Sequence, residues 1–593
     1  VTARARRGIV AAALIAAAAI PLLAQSRAAS DKLSSDWRRL SSDDIDVVGN
    51  ASESELKRAF DRIQSFRSVL HAILPGIRIR SSERTLVYVF RDYGSFERFA
   101  PRDGRGRRLA GVGGYFFSNA DSNVLALPVF ETSEATYQTA FHEYTHYLID
   151  KNNVSSPRWL NEGLADFYST IEMDSKDKVT IGVVHAGRLR TLRSRSMPPV
   201  RRLLNGDSAL RLFVGGDTEL FYAHAWIFVH YMILGEDGRR GQLSKYLQLL
   251  RSSASNEEAA SQAFGSLEDL DRDLRAYSRR MMFPALLFNG SFVRAAGSAV
   301  QPMLEADALA LQGELLANLG DAAAAEKPLE KALTLAPRHL KARLALGRVR
   351  VLQERADDGI TLLNGVADET PADFAAHFHL ASALRKADRF TDSLKEFERA
   401  RSLNDGSADA WFGGSLVALS MNRDTESEAA LRQVFLLDPK PGWYYSHART
   451  ALGAGRYELA VRDVRRFLEL SGWADESGPY AAFVAVIAHW RLGQKAEADS
   501  LLQQAAAAVN PKSWVASVTQ YLQGTIADDE ILSRAKDGGQ RTEAHTYAGM
   551  KMLLAGQTDA AVTHFKWVKE RGERNYTEHG MALAELKRLE QAR

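Results

Sequence analysis

His142-Glu143-Tyr144-Thr145-His146 places two imidazoles four residues apart. On a helix that spacing turns them to within about 40° of each other, one turn apart on one face, so both can reach a single metal ion. Glu143 sits on the same rim, placed to hold a water and act as general base. A catalytic zinc takes three protein ligands and leaves a fourth position open. Sixteen residues past His146 stands Glu162, the natural third ligand. Asp166, four residues further, shares its helical face and is placed to accept the free N–H of a ligating histidine, which fixes that ring's tautomer.

The pentapeptide alone is short enough to arise by chance. What turns it into a site is Trp159-Leu160-Asn161-Glu162-Gly163-Leu164-Ala165-Asp166-Phe167, which begins after a polar break containing Pro157. That segment runs as an apolar stripe interrupted only by its carboxylates and Asn161, the pattern of a helix that delivers acids into a core.

The elements around it read as a mixed α/β domain over residues 31–285. Leu56, Phe60, Ile63, Phe66 and Leu70 give 53–74 the spacing of an amphipathic helix. Thr85-Leu86-Val87-Tyr88-Val89-Phe90 is a β-rich run, and two more strands are expected at 114–117 and 124–129. The turn-prone 119–123 joins those two into a hairpin just before the histidines. A second aromatic cluster, Phe221-Tyr222-Ala223-His224-Ala225-Trp226, reads from its composition as core.

These residues resemble the gluzincin metallopeptidases, and most closely the small "peptidase MA-like" domains, whose second helix commonly reads Asn-Glu-Gly-x-Ala. The resemblance implies an α+β fold binding one zinc per chain. It implies His142, His146 and Glu162 as ligands, Glu143 as catalytic acid/base and Asp166 as the group orienting His142. It further implies that a hairpin edge strand binds the substrate backbone, and that a tyrosine or histidine donates to the oxyanion. Tyr222 is the candidate donor and His224 the alternative. The aminopeptidase branch carries a Gly-x-x-Glu-Asn element that grips a free amine. The corresponding stretch, 111–119, has no glutamate, so internal cleavage is expected.

The chain of 593 residues is too long for one core. Its net charge of +3 gives no argument for nucleic acid, and its lack of cysteine restricts any metal ligand to His, Asp or Glu. Residues 1–28 read as a signal peptide. Arg4, Arg6 and Arg7 precede an uncharged stretch from Gly8 to Ala24, and small residues around Ala28 suit cleavage. An exported, periplasmic or envelope protein of a bacterium is expected; an uncleaved anchor is the one membrane attachment this suggests. Arginines cluster at 102, 105, 107 and 108 and at 188, 190, 193 and 195, as solvated surface or as a patch for an anionic substrate or envelope polymer.

From Met303 the chain turns Ala- and Leu-rich. Gly313, Gly347 and Ala381 recur every 34 residues, and Pro337, Pro371 and Pro439 share that period with one step skipped. This resembles the tetratricopeptide repeat, with small residues where paired helices touch. An all-α solenoid over 303–593 follows, joined by a linker at 286–302, with a concave face for a protein partner. The combined expectation is an exported zinc peptidase acting on peptide or protein substrates. The alternatives are a non-catalytic envelope scaffold with a vestigial peptidase domain and a hydrolase of cell-wall peptide amides.

Overall fold

The computed structural model describes residues 37–74, 84–102, 107–109, 112–129, 133–152, 156–173, 178–204, 218–235, 239–251, 256–290, 297–473, 477–574 and 576–591. The expected signal peptide and Arg105 lie outside them. The chain forms two compact units, 3–366 and 367–593.

The first unit is built on a six-stranded sheet ordered β4-β5-β3-β2-β1-β9. Its strands are β1 (Arg38–Ser41), β2 (Ile45–Gly49), β3 (Thr85–Phe90), β4 (Tyr115–Ser118), β5 (Asn123–Pro128) and β9 (Gln301–Pro302). β2, β3 and β5 run parallel. β4 folds back antiparallel on β5 as the expected hairpin, with Phe116 opposite Leu125, and forms one edge of the sheet.

Alternate residues of each strand serve two different cores, as the two-residue period of a pleated strand requires. Val47, Val87, Val89, Leu125 and Leu127 pack against α1 (Glu53–Ile73) and α2 (Ser133–Lys151), which carries the two histidines. Helix α1 starts on a capping box in which Ser52 and Glu55 satisfy each other's backbone N–H. Val48, Tyr88, Phe90, Val124 and Ala126, together with Trp37, Tyr115 and Phe117, face the other way. They meet the first helices of the repeats, α9 (Glu305–Asn318), α10 (Ala322–Leu335) and α11 (Leu340–Leu352). The Tyr88 hydroxyl donates to the Leu311 carbonyl at 3.1 Å, and Arg102 and Arg108 pair with Asp321.

Between α2 and these repeats lie α3 (Arg158–Ser169), β6 (Glu172–Met173), β7 (Lys178–Ile181), α4 (Ala186–Ser194), α5 (Thr218–Leu234), α6 (Arg239–Arg251), α7 (Asn256–Phe264) and α8 (Leu267–Ser278). β8 (Leu286–Asn289) then adds to β7 in a small sheet ordered β6-β7-β8.

Two boundaries expected from sequence are therefore corrected. The expected linker at 286–302 contributes strands at both of its ends, β8 and β9, the latter pairing Arg39 with Gln301 and Arg38 with Pro302. Nor does the first unit end at 285: it runs to Val366, because its sheet has a second apolar face that the first repeats cover. A sheet with parallel strands needs both faces buried.

The second unit is helical, and both units hold the expected helix pairs. Gly313 lies where an added Cβ would come within 2.4 Å of Leu329 in the partner helix, and at Gly347 the corresponding approach is 2.7 Å to Leu363. A further 34-residue mark appears only in the backbone. Gly320, Glu354, Asp388 and Asn422 all hold left-handed φ, at 75°, 65°, 58° and 60°, in the turn between paired helices. No described helix is long and apolar enough to cross a membrane.

Ending the chain at Pro302 would strip cover from Trp37, Tyr88, Phe90, Tyr115 and Phe117, all now buried. At roughly 1.5–3 kcal/mol per large apolar side chain, the loss is on the order of 10 kcal/mol, comparable to a whole domain's stability. A chain ending at Pro302 should aggregate or melt without cooperativity, whereas one ending at Glu369 should melt as a unit. Thermal circular dichroism of both decides, and a cooperative transition in the shorter chain would refute the two-faced sheet as a folding requirement.

Candidate metal centre

Helix α2 presents His142 and His146 on one side, and α3 crosses it to bring up Glu162. The metal-facing atoms converge. His142 Nε2 lies 2.9 Å from His146 Nε2 and 3.5 Å from Glu162 Oε2. His146 Nε2 lies 3.2 Å from the same oxygen. These are the one group of three or more His, Asp or Glu among the described residues with ligand atoms close enough to share an ion. Bonds of about 2.0–2.1 Å in tetrahedral geometry would set donors about 3.3 Å apart, so the set fits zinc. Glu162 Oε2 is also buried and, apart from these two ring nitrogens, makes no hydrogen bond among the described residues.

Each ring is held from behind. Asp166 Oδ1 lies 2.9 Å from His142 Nδ1 and, as a carboxylate, can only accept. Asn161 Oδ1 lies 2.8 Å from His146 Nδ1. Both contacts put the ring proton on Nδ1 and leave Nε2 as the free ligand atom. Asp166 is gripped in turn by Arg188, whose Nε donates to Oδ2 at 2.7 Å. The Arg188 guanidinium then lies 5.0 Å over the ring of Tyr222.

The buried charges are mutually dependent. Burial opposes charge on His142, but hydrogen bonds to Asp166 and Glu162 outweigh it and push its pKa up to about 10. Burial also opposes charge on Glu162, yet His146 and the hydrogen bonds from both rings hold it near about 2. Asp166 is kept well below the carboxylate range, against burial, by Arg188 and His142. The two carboxylates thus draw positive charge to the point where the three donors meet, the place a dication would take from those protons.

Glu143 is 3% exposed. Burial raises its carboxyl to about 7 against the pull of His142 and His146, and it takes a hydrogen bond from the Phe116 backbone of edge strand β4. Tyr222 lies on α5, which packs on α3. Its hydroxyl is buried with Arg158 beside it, and burial and the nearby Glu162 push its pKa well up. His224 is two residues on, about 200° around the helix. Neither of its nitrogens has a hydrogen-bond partner among the described residues, and burial with Arg275 as the neighbouring charge lowers it to about 3. The structure gathers Tyr222 to the cluster and not His224, whose alternative role as donor is corrected on that ground.

Three residues here were not assigned roles by sequence reasoning. Asn161 stood inside the motif with no partner named. Arg188 stood in an arginine cluster that reads as surface, yet it is 6% exposed; only its spacing on α4 separates it from exposed Arg190 and Arg193. Gly163 has a packing reason. A Cβ there would meet Val229 Cγ2 at 2.5 Å and the Ala225 carbonyl at 2.6 Å, so only glycine lets α3 lie against α5.

Gly163→Ala should cost about 1–3 kcal/mol, the range for overpacking a filled core, and weaken metal retention as α3 is pushed off. Gly241→Ala, on α6 where nothing lies within 4 Å, should be neutral or stabilising. Urea melts of both variants measure this. A Gly163→Ala protein as stable as its parent would refute the close-approach account.

Comparison with known proteins reaches both parts. Residues 132–255, which contain every residue of this cluster, match a family described as "Protein of unknown function (DUF1570)". Residues 306–339 match a tetratricopeptide repeat. The "Lipoprotein NlpI homolog" of Haemophilus influenzae is 28% identical over 171 residues, 27% of this chain and 52% of that protein. The chain therefore spans about half the length of that curated relative. Among solved structures, a tetratricopeptide repeat protein from Parabacteroides merdae aligns at 12% identity over 47% of this chain and 98% of its own, with a TM-score of 0.33. Pseudomonas aeruginosa pilF aligns at 16% identity over 37% and 98%, with a TM-score of 0.29. The chain carries tetratricopeptide repeats after a mixed sheet-and-helix region.

Proposed function

We propose that this chain is a zinc-dependent peptidase of gluzincin type that acts outside the cytoplasm, with its repeats recruiting the substrate or a partner protein. The observation that carries the reading is the meeting of His142, His146 and Glu162 beside a buried, unligated Glu143. A purely structural zinc has no use for that glutamate.

Zinc, when bound, supplies Lewis acidity to a carbonyl and acidity to water. The chain's own groups do the rest. Glu143, with a carboxyl near 7, is matched to taking a proton from the attacking water and passing it to the leaving amine at neutral pH. The Tyr222 hydroxyl, buried near Glu162 and kept protonated by that burial, donates to the oxyanion. Edge strand β4 runs beside Glu143 and offers its backbone to an extended peptide. Asp166, Asn161 and Arg188 position the histidines without touching substrate.

The comparisons favour a second reading more than the first, because they name repeats and a lipoprotein and no catalytic activity. On that reading the chain is an envelope scaffold that gathers proteins on its repeats. The lipoprotein relative supports an envelope location under either reading. Hydrolysis of cell-wall peptide amides would use the same groups.

Elemental analysis of chelator-free protein should find one zinc per chain, lost in His142→Ala and Glu162→Ala. Metal-free protein that is otherwise intact would remove the ligand assignment. Glu143→Gln should keep the zinc and lose about 10²-fold or more in turnover of N-terminally blocked peptides. Equal turnover by the variant would place the base elsewhere. No turnover by the parent on a broad peptide library, with partner capture unaffected by Glu143→Gln, would favour the scaffold.

A further inference from the structure

The chain leaving α8 reads Arg279-Arg280-Met281-Met282-Phe283-Pro284-Ala285-Leu286-Leu287-Phe288. It presents apolar side chains to solvent in a way no other described segment does. Met281 is 88% exposed, Met282 85% and Leu287 63%. Single exposed apolar residues are ordinary, but a contiguous set is not. β8 is the edge of its sheet and is exposed along both rows.

The protrusion is held firmly. Phe283 turns inward against Tyr277, His230 and Trp226, with ring centroids 5.4, 5.7 and 6.4 Å away. β8 pairs with β7 from Leu286 opposite Ile181 to Asn289 opposite Lys178. Met281 and Met282 are thus displayed just before an anchored aromatic, not on a loose tail.

Cations accompany them in the chain and on the neighbouring helix. Arg279 and Arg280 precede the methionines and are exposed. Arg193 on α4 donates to the Arg280 carbonyl at 3.1 Å, and Arg190 lies one turn back on the same helix and is exposed. None of these four forms an ion pair among the described residues. Among the described residues, the one acid in the small sheet is exposed Glu172, on β6 at its opposite edge.

We infer that this face docks on an anionic lipid bilayer, with Met281, Met282 and Leu287 entering the headgroup region and Arg190, Arg193, Arg279 and Arg280 on the lipid phosphates. Apolar side chains backed by cations bind such interfaces through both terms together. Charge complementarity selects the bilayer. Edge-to-edge pairing of β8 with a second copy would cover the strand but leave both methionines and the arginines, which precede it, unused. The inference stands apart from the catalytic reading and involves none of its groups.

The test uses the chain from Ser30 onward, which retains every described residue, sedimented with vesicles of phosphatidylcholine with or without phosphatidylglycerol. Binding is expected only with phosphatidylglycerol and should weaken as salt shortens the screening length. Arg279→Gln and Arg280→Gln should each weaken it about fivefold, and the Met281→Ser/Met282→Ser double variant should abolish it. Because Arg279, Met281 and Met282 are exposed, the melting temperatures of their variants should match the parent's, which separates lost binding from lost folding; Arg280 also lies 4.8 Å over the Tyr277 ring, so Arg279→Gln is the arginine variant that decides. Absence of parent binding to phosphatidylglycerol vesicles would overturn the inference, as would equal binding by the serine variant. A concentration-dependent dimer lost in that variant, without vesicle binding, would assign the face to a second copy instead.

Discussion

Two carboxylates one turn apart on a buried helix repel each other and resist leaving water, and most of the first unit answers that difficulty. Glu162 and Asp166 both stay ionised inside the core because each faces cations. Glu162 has the two histidines; Asp166 has His142 on one side and Arg188 on the other. Removing any one partner leaves a buried charge uncompensated, which costs far more than the pair contributes when intact. The arrangement therefore dictates neighbours: α2 must cross at the height of Glu162, α4 must deliver Arg188, and α5 must lie close enough to seal the site. Gly163 makes the last of these possible.

The same economy appears in the sheet. β3 alternates Val87 and Val89 towards the histidine helix with Tyr88 and Phe90 towards the repeats, so one strand carries two cores in register. A one-residue slip of β3 would exchange the two sets and place tyrosine and phenylalanine against α2. The position of the candidate metal helix relative to the sheet is thus specified partly by aromatic residues that face away from it.

Much of this was legible in the sequence for a physical reason. The histidine spacing, the Glu162–Asp166 pair, the hairpin and the 34-residue phase are local periodicities, and local geometry suffices to read them. The 53–74 helix and the 85–90 strand came within a residue of their observed ends for the same cause. What escaped depends on distant neighbours. Arg188 is 22 residues from Asp166 and resembles its exposed companions. His224 and Tyr222 share an aromatic stretch, and only the rotation of α5 separates them. The supposed linker is irregular in composition, yet it ends in a short strand whose partner, Arg38–Arg39, lies over 260 residues earlier. No window on the sequence contains that pairing.

Because the first repeats cover the sheet, any recruitment there would be one equilibrium with folding. Leu309, Leu315 and Leu329 belong to the same buried cluster as Tyr88 and Tyr115, so the first helix pairs cannot separate from the sheet without exposing it. Any molecule that binds only the packed form of those pairs adds its binding free energy to the stability of the strands beneath, by mass action. β4, whose Phe116 backbone hydrogen-bonds to Glu143, is part of that sheet. Capture at the solenoid's first turns would thus act as a ligand-dependent brace on the proposed catalytic scaffold, with its strength set by the concentration of whatever is captured.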